Sequence, residues 1–163
     1  MLPLCLSIAV ALLDQIAKNW VRSSLGLGSF IEVIPGVFDV RYVQNTGAAW
    51  GILEGLNHWL VVLSLLILVG IARFRRHFMS GTWVPDVACG LIAGGIVGNL
   101  LDRVRLGYVV DFLDFHWRAH AFPAFNVADA AICTGVGLYM LSEMLGWDRH
   151  AAKSPAAGPV SAA

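Results

Sequence analysis

The sequence predicts a mainly α-helical membrane protein with four transmembrane helices and a small β-sheet between the first two. Three observations predict this fold. Of the 163 residues, 58% are hydrophobic and 13% are charged, and the mean hydropathy is +0.71, whereas soluble domains average about 25% charged residues. Four apolar segments approach or reach the length that crosses a hydrocarbon layer of about 30 Å. The stretch between the first two segments has the alternation of a β-strand.

The four helices are predicted at about residues 2–21, 56–72, 84–102 and 125–145. The third is rich in glycine, and Gly90, Gly94 and Gly98 recur at spacings of four. Small residues at this spacing favour close packing of neighbouring helices. We therefore expect one integral membrane domain over residues 1–147, with the third helix in close contact with others.

The β segment is predicted over about residues 26–51. Residues 29–34 and 37–44 alternate apolar and polar side chains and are rich in Val, Ile, Phe and Tyr, with Pro35 and Gly36 between them. This pattern is typical of a strand, a turn and a second strand.

Basic residues indicate the orientation. Arg73, Arg75 and Arg76 crowd the connection between the second and third helices, and short loops rich in arginine face the cytoplasm. With four spans, both termini are then cytoplasmic, and residues 148–163, rich in Ala, Pro, Ser and Gly, are expected to form a flexible cytoplasmic tail.

The same parity brings polar residues from three helices to the opposite membrane face. Asp14 and Lys18 are four positions apart, Asn99 and Arg103 are four apart, and Asn126 and Asp129 are three apart, so each pair shares one helix face. For Asp14 and Lys18, a local ion pair at the interface and a role in a site are equally open. The polar residues expected at this membrane face are Asp14 and Lys18 of the first helix, Asn99, Asp102 and Arg103 of the third, and Asn126 and Asp129 of the fourth.

Asp111 and Asp129 are the candidate catalytic residues. A carboxylate deep in a transmembrane helix costs at least about 2.5 kcal/mol and so indicates a function. Two neighbouring carboxylates do not both ionise readily, and such a pair supplies an acid and a base for peptide hydrolysis. The alternative is that Asp111 lies in a wet loop before the fourth helix while Asp129 caps that helix or pairs with Arg103 or Lys18.

Composition narrows the function classes further. The formal net charge is zero, which argues against a broad nucleic-acid surface. No motif indicates a metal or another cofactor. A proton or cation relay through Asp14, Asp111 and Asp129 is a competing function, although these acids crowd one membrane face. A non-catalytic four-helix scaffold is a third possibility.

Four ordered blocks of the sequence resemble the lipoprotein signal peptidase family, also called signal peptidase II, which are membrane aspartyl peptidases of bacteria. The resemblance extends over most of residues 10–145. Trp50 and Gly51 stand where phenylalanine and serine are common in the family. The blocks are Asp14 to Lys18, Asn45 to Trp50, Gly94 to Arg103 continuing through Val109 to Phe112, and Phe122 to Asp129.

The resemblance implies specific roles. Asp111 and Asp129 would form the catalytic dyad, and the β segment would contribute to a periplasmic cradle over a site at the periplasmic face of the inner membrane. The substrate would be a diacylglyceryl-modified prolipoprotein, cut N-terminal to its lipidated cysteine, without metal or cofactor. Membrane lipid and globomycin-type inhibitors are further expected partners, and a monomer is the expected state. The residues expected to bind substrate or support the site are Asp14, Lys18, Asn45, Gly47, Asn99, Arg103 and Asn126.

Overall fold

The structure, a computed structural model, describes residues 1–47, 52–78, 83–117 and 120–146. Its helices are α1 (Leu2–Ser24), α2 (Asn57–Phe78), α3 (Trp83–Leu106) and α4 (Val127–Leu145). Each contains a segment that is long and apolar enough to cross a membrane. The predicted four-helix fold is therefore confirmed, while the predicted tail and Trp50 lie outside the described residues.

Three helices extend beyond the predicted ends, and α1 continues from the predicted residue 21 to Ser24. α3 continues past residue 102 to Leu106, because the polar residues at its end are still good helix formers, and it stops before Gly107, which has a φ of +82°. α2 likewise continues from the predicted residue 72 to Phe78. Hydropathy marks the part of a helix that lies in lipid, so it underestimates a helix that continues into the aqueous phase.

α3 is the central helix of the bundle, and its glycines allow the close contacts. The backbone of α1 at Ser7 approaches Gly94, and the backbone of α4 at Ala128 approaches Gly95. A Cβ atom on Gly94 would lie 2.7 Å from the carbonyl oxygen of Ser7. The packing role predicted for this glycine stripe is confirmed.

α2 packs mainly on α3 and leaves much of its apolar surface uncovered. Trp59, Leu66 and Val69 are among its exposed side chains. A contiguous apolar surface of this kind marks a membrane contact. The outside of the bundle is thus suited to lipid, and its polar residues are turned inward.

A four-stranded antiparallel sheet lies at one end of the bundle. The strands are β1 (Phe30–Ile34), β2 (Phe38–Asn45), β3 (Val109–Trp117) and β4 (His120–Ala121), in that spatial order. The predicted hairpin is present as β1 and β2, and Gly36 adopts a φ of +70° in its turn.

The sheet is larger than predicted, and the alternative that placed Asp111 in a loop is wrong. The sheet is not confined to the segment between the first two helices, because β3 and β4 join it from the connection between α3 and α4. Asp111 therefore lies within β3, paired with Val43 of β2, and not in a loop. Strands so far apart in sequence leave no local sign of their pairing, although the Val- and Phe-rich residues 109–117 carry a strand composition.

An apolar cluster and a buried hydrogen bond help to fix the sheet to the bundle. Val21 of α1 packs in a buried cluster with Tyr42, Val110 and Phe112 of the sheet. Asp102 at the end of α3 accepts a hydrogen bond from the backbone N–H of Val110 at 3.1 Å. The strand that carries Asp111 is consequently held by both α1 and α3.

We expect Gly95→Ala to destabilise the protein by about 1–3 kcal/mol, the usual cost of an overpacked core. Its new Cβ would collide with the backbone of Ala128, which cannot move without shifting α4. The matched control is Gly137→Ala in α4, where nothing lies within 4 Å of the added methyl group. Thermal unfolding in detergent measures both, and equal melting temperatures for the two variants would contradict the packing role.

Candidate active site

Asp129 lies in the first turn of α4, where it forms a capping box with Asn126. The Asn126 side-chain oxygen accepts a hydrogen bond from the Asp129 N–H at 2.9 Å, and Asp129 Oδ2 accepts one from the Asn126 N–H at 3.3 Å. The capping role considered for Asp129 is thus present. It occupies only one carboxylate oxygen, because Oδ1 accepts a separate hydrogen bond from Asn99 Nδ2 at 2.7 Å.

Asp111 is held from two sides by asparagine amides. Asn126 Nδ2 donates to its Oδ1 at 2.7 Å and Asn45 Nδ2 donates to its Oδ2 at 2.9 Å. Asn126 Nδ2 also lies 3.2 Å from Asn99 Oδ1. Asn126 and Asn99 therefore link the two carboxylates through a continuous chain of hydrogen bonds.

Lys18 lies at the buried end of this network. Its ammonium lies 2.8 Å from Asp14 Oδ2 and 3.1 Å from Asp102 Oδ2, and it donates to Asn99 Oδ1 at 2.8 Å. Only 1% of the Lys18 side chain is exposed. The Asp14–Lys18 pair is therefore part of the protein interior and not a local pair at the membrane interface.

Asp14 connects this buried charge cluster to α4. Its Oδ1 accepts a hydrogen bond from the backbone N–H of Ala128 at 2.9 Å, one residue before Asp129. Gly98 of α3 gives the carboxylate room, since a Cβ there would lie 2.6 Å from Asp14 Oδ2. The start of α4 is thus positioned by α1 across a glycine of α3.

Arg103 contacts the chain segment that follows β2. Its Nη2 donates to the carbonyl oxygen of Gly47 at 3.2 Å, and the Gly47 N–H donates to Asn45 Oδ1 at 2.9 Å. A Cβ on Gly47 would lie 2.8 Å from the Ile52 carbonyl oxygen, so the turn requires glycine. Within the described parts of the chain, Asp129 forms an ion pair with neither Arg103 nor Lys18.

Both candidate carboxylates line one cavity of about 900 Å³ between the sheet, α3 and α4. Its polar lining includes Asn45, Asn99 and Arg103 beside Asp111 and Asp129. The rest is largely apolar and includes Val43, Val109, Phe122, Phe125, Ile132 and Cys133. A cavity with an apolar wall and a few convergent polar groups is the usual form of a binding site.

Burial and charge alter the acidity of Asp111. Its side chain is 2% exposed. Burial, and next the charge of Asp129, raise the pKa of Asp111 to about 7, although the hydrogen bonds from Asn45 and Asn126 and the charge of Lys18 oppose the shift. Near neutral pH this carboxyl therefore retains a proton for much of the time, as an acid in hydrolysis requires.

The structure brings together all nine residues predicted for the site and adds three more. Asp102 binds Lys18, and Gln15 Nε2 donates to Asp102 Oδ1 at 2.9 Å. The spacing of Asp102 three residues after Asn99 placed it on the right helix face without indicating this role. Glu54 lines the cavity near Thr46, and no local pattern singled it out.

Comparison with known proteins finds one family. A family model described as Signal peptidase (SPase) II matches residues 6–145. The chain is 44% identical to the lipoprotein signal peptidase of Symbiobacterium thermophilum over 89% of this chain and 95% of that protein. It is 40% identical to the lipoprotein signal peptidase of Syntrophotalea carbinolica, over 91% and 94% respectively.

The chain is also similar to solved structures of bacterial membrane enzymes. The chain superposes with a TM-score of 0.81 on a bacterial membrane enzyme determined by the in meso method at 2.3 Å resolution. That enzyme is 29% identical in sequence, and the match covers 98% of this chain and 94% of the other. A second such structure, at 1.9 Å resolution, gives a TM-score of 0.79 with 32% identity, covering 87% and 92%.

We expect Lys18→Met to destabilise the protein by about 3–5 kcal/mol, because it leaves Asp14 and Asp102 buried without their cation. The control is Arg105→Met, since Arg105 is exposed and contacts Gln15 at 3.3 Å. That change should alter stability by about 0.5 kcal/mol or less. Thermal unfolding in detergent compares the two, and a Lys18→Met protein as stable as the control would contradict the structural role of the buried lysine.

Proposed function

Because the chain belongs to the signal peptidase II family of lipoprotein signal peptidases, we propose that Asp111 and Asp129 are its catalytic dyad. As an aspartic-type endopeptidase of the membrane, the protein removes signal peptides from prolipoproteins. The cut is made N-terminal to the diacylglyceryl-modified cysteine, by a water molecule that the dyad activates without a metal ion.

One observation carries the dyad assignment. Asp111 lies on β3 and Asp129 on α4, and Asn126 and Asn99 hold them in one hydrogen-bond network in which both line one cavity. Placing two carboxylates in a membrane protein costs free energy, which indicates that they have a function. Helix capping explains the position of one carboxylate oxygen of Asp129. It does not explain why Asp111 is buried.

The two carboxylates divide the work of hydrolysis. Asp129 lies at the positive end of α4, which favours negative charge, and in this mechanism it acts first as the base that accepts a proton from water as the water oxygen attacks the peptide carbonyl carbon. Asp111 carries the shared proton and donates it to the carbonyl oxygen, which gives a tetrahedral diol. Asp129 then returns its proton to the leaving amine as the C–N bond breaks, and Asp111 recovers a proton from the diol.

The cavity fits a substrate that is partly embedded in lipid. Its apolar wall, with Val43 and Ile132, suits the small apolar residues near the cleavage site, and its polar end presents the dyad to the peptide bond. The signal helix and the acyl chains would remain in membrane lipid beside the bundle. Globomycin-type inhibitors would compete for the same cavity, and a single chain contains every group that this chemistry needs.

The proposed orientation places the site at the periplasmic face of the inner membrane, with both termini in the cytoplasm. It is supported by the arginine-rich end of α2, which the positive-inside rule assigns to the cytoplasm. The N-terminal part of α1 near Pro3 packs beside Gly90 of α3, whereas Asp14 packs beside Gly98. The start of α1 and the dyad therefore belong to opposite ends of the bundle.

We expect Asp111→Asn and Asp129→Asn each to lower the cleavage rate of a lipidated prolipoprotein by at least about 10³-fold, because each removes a proton-transfer group. Both proteins should remain folded. The control is Asp86→Asn, in the first turn of α3, far from the cavity lining. Cleavage by the Asp111→Asn protein at more than a tenth of the parent rate would refute the dyad.

We expect kcat/KM to fall as the pH rises through about 7, because Asp111 loses the proton that the proposed mechanism requires. Asn45→Ala should move this limb to higher pH. Its amide stabilises the ionised Asp111 carboxylate, so its loss raises the pKa further. A pH profile of kcat/KM measures the shift, and a rate that rises through pH 7 would mean that Asp111 acts first as the base.

A further inference from the structure

A row of acidic residues crosses the face of the sheet opposite the dyad. Glu32 of β1 is paired with Asp39 of β2, and Asp39 is paired with Asp114 of β3. Residues paired directly across antiparallel strands point to the same face. Asp114 follows Asp111 by three positions in β3, so the two side chains point to opposite faces.

The charges in this row are poorly compensated. Asp39 is 6% exposed and its Oδ1 lacks a hydrogen-bond partner. Arg41 Nε lies 3.3 Å from Asp114 Oδ2 but forms no hydrogen bond. These are the two buried side-chain polar atoms without a hydrogen bond among the residues that the structure describes.

Like charges placed opposite each other in a sheet are destabilising, and a buried unpaired carboxylate is more so. Arg41 is the one cation paired with this row among the residues that the structure describes, and its guanidinium also lies over the ring of Phe30, 5.3 Å from the centroid. The cluster therefore retains a net negative charge that a bound cation would neutralise.

We propose that Asp39, Asp114 and His116 bind a divalent transition-metal ion of the Zn²⁺ type. One ligand atom from each of the three lies within 4.8 Å of the others, so an ion between them would be near its usual bond lengths of 2.0–2.2 Å after small side-chain movements. An imidazole ligand favours Zn²⁺ over Ca²⁺ or Mg²⁺, which prefer oxygen. Water or Glu32, in the same row, would complete the coordination.

The bound ion has a structural role. It joins β2 to β3 on the side of the sheet away from the cavity, and so it clamps the two strands that carry Asn45 and Asp111. The dyad reacts without it. This proposal is independent of the proposed catalytic function, because its readouts are metal binding and thermal stability.

The test uses full-length protein in detergent, stripped with a chelator and free of any histidine tag. Titration with ZnCl₂ should show one saturable site per chain and a rise in melting temperature, which the same concentration of CaCl₂ does not produce. Asp39→Asn and His116→Ala should each weaken Zn²⁺ binding at least tenfold. Arg41→Gln should tighten it, because the competing cation is removed.

Two controls keep the outcome interpretable. His120→Ala changes a histidine of β4 outside the cluster and should bind Zn²⁺ like the parent. In metal-free protein, Asp39→Asn should melt at the parent temperature or above it, since it removes an unpaired buried carboxylate, which shows that the variant folds. Failure of the parent to saturate, or equal affinity in the parent, Asp39→Asn and His116→Ala, would mean an adventitious ion only and would overturn the site.

Discussion

The rest of the structure depends on the buried ion pairs of Lys18 with Asp14 and Asp102. The Lys18 ammonium lies 2.8 Å from the carboxylate of Asp14 and 3.1 Å from that of Asp102, inside a bundle whose outer surface is apolar. Opposite charges in such a medium attract strongly, but only while each has its partner. The pairing therefore sets the relative positions of α1 and α3, and Asp14 extends it to the start of α4.

Asparagine amides, and not further charged groups, connect Lys18 to the two carboxylates of the proposed dyad. Asn99 accepts from Lys18 and donates to Asp129, and Asn126 donates to Asp111 while it caps α4. An asparagine side chain can donate and accept at once, so it orients a carboxylate without neutralising it. The result is a pair of carboxyl groups that are close to a buried cation and line the cavity, as the proposed proton transfer requires.

The sheet gives the two faces of β3 different tasks. One face presents Asp111 to the cavity, and the opposite face carries Asp114 in the acidic row with Asp39. The strand is further held by Asp102 through the N–H of Val110. A carboxylate on a strand that is fixed from several directions loses little entropy on binding a substrate, so this strand suits the catalytic role proposed for Asp111.

Sequence patterns alone predict the four helices, the first hairpin, the packing glycines and the end of the bundle at which the polar residues meet. These follow from hydropathy, alternation and spacing, which are local properties, and from parity, which is a counting argument. The three-dimensional contacts are needed to see that Asp111 lies on a strand, that the Asp14–Lys18 pair is buried with Asp102, and that Asn126 links the carboxylates. Each of these features depends on contacts between residues that are distant in sequence. Local sequence patterns do not show how favourable such contacts are.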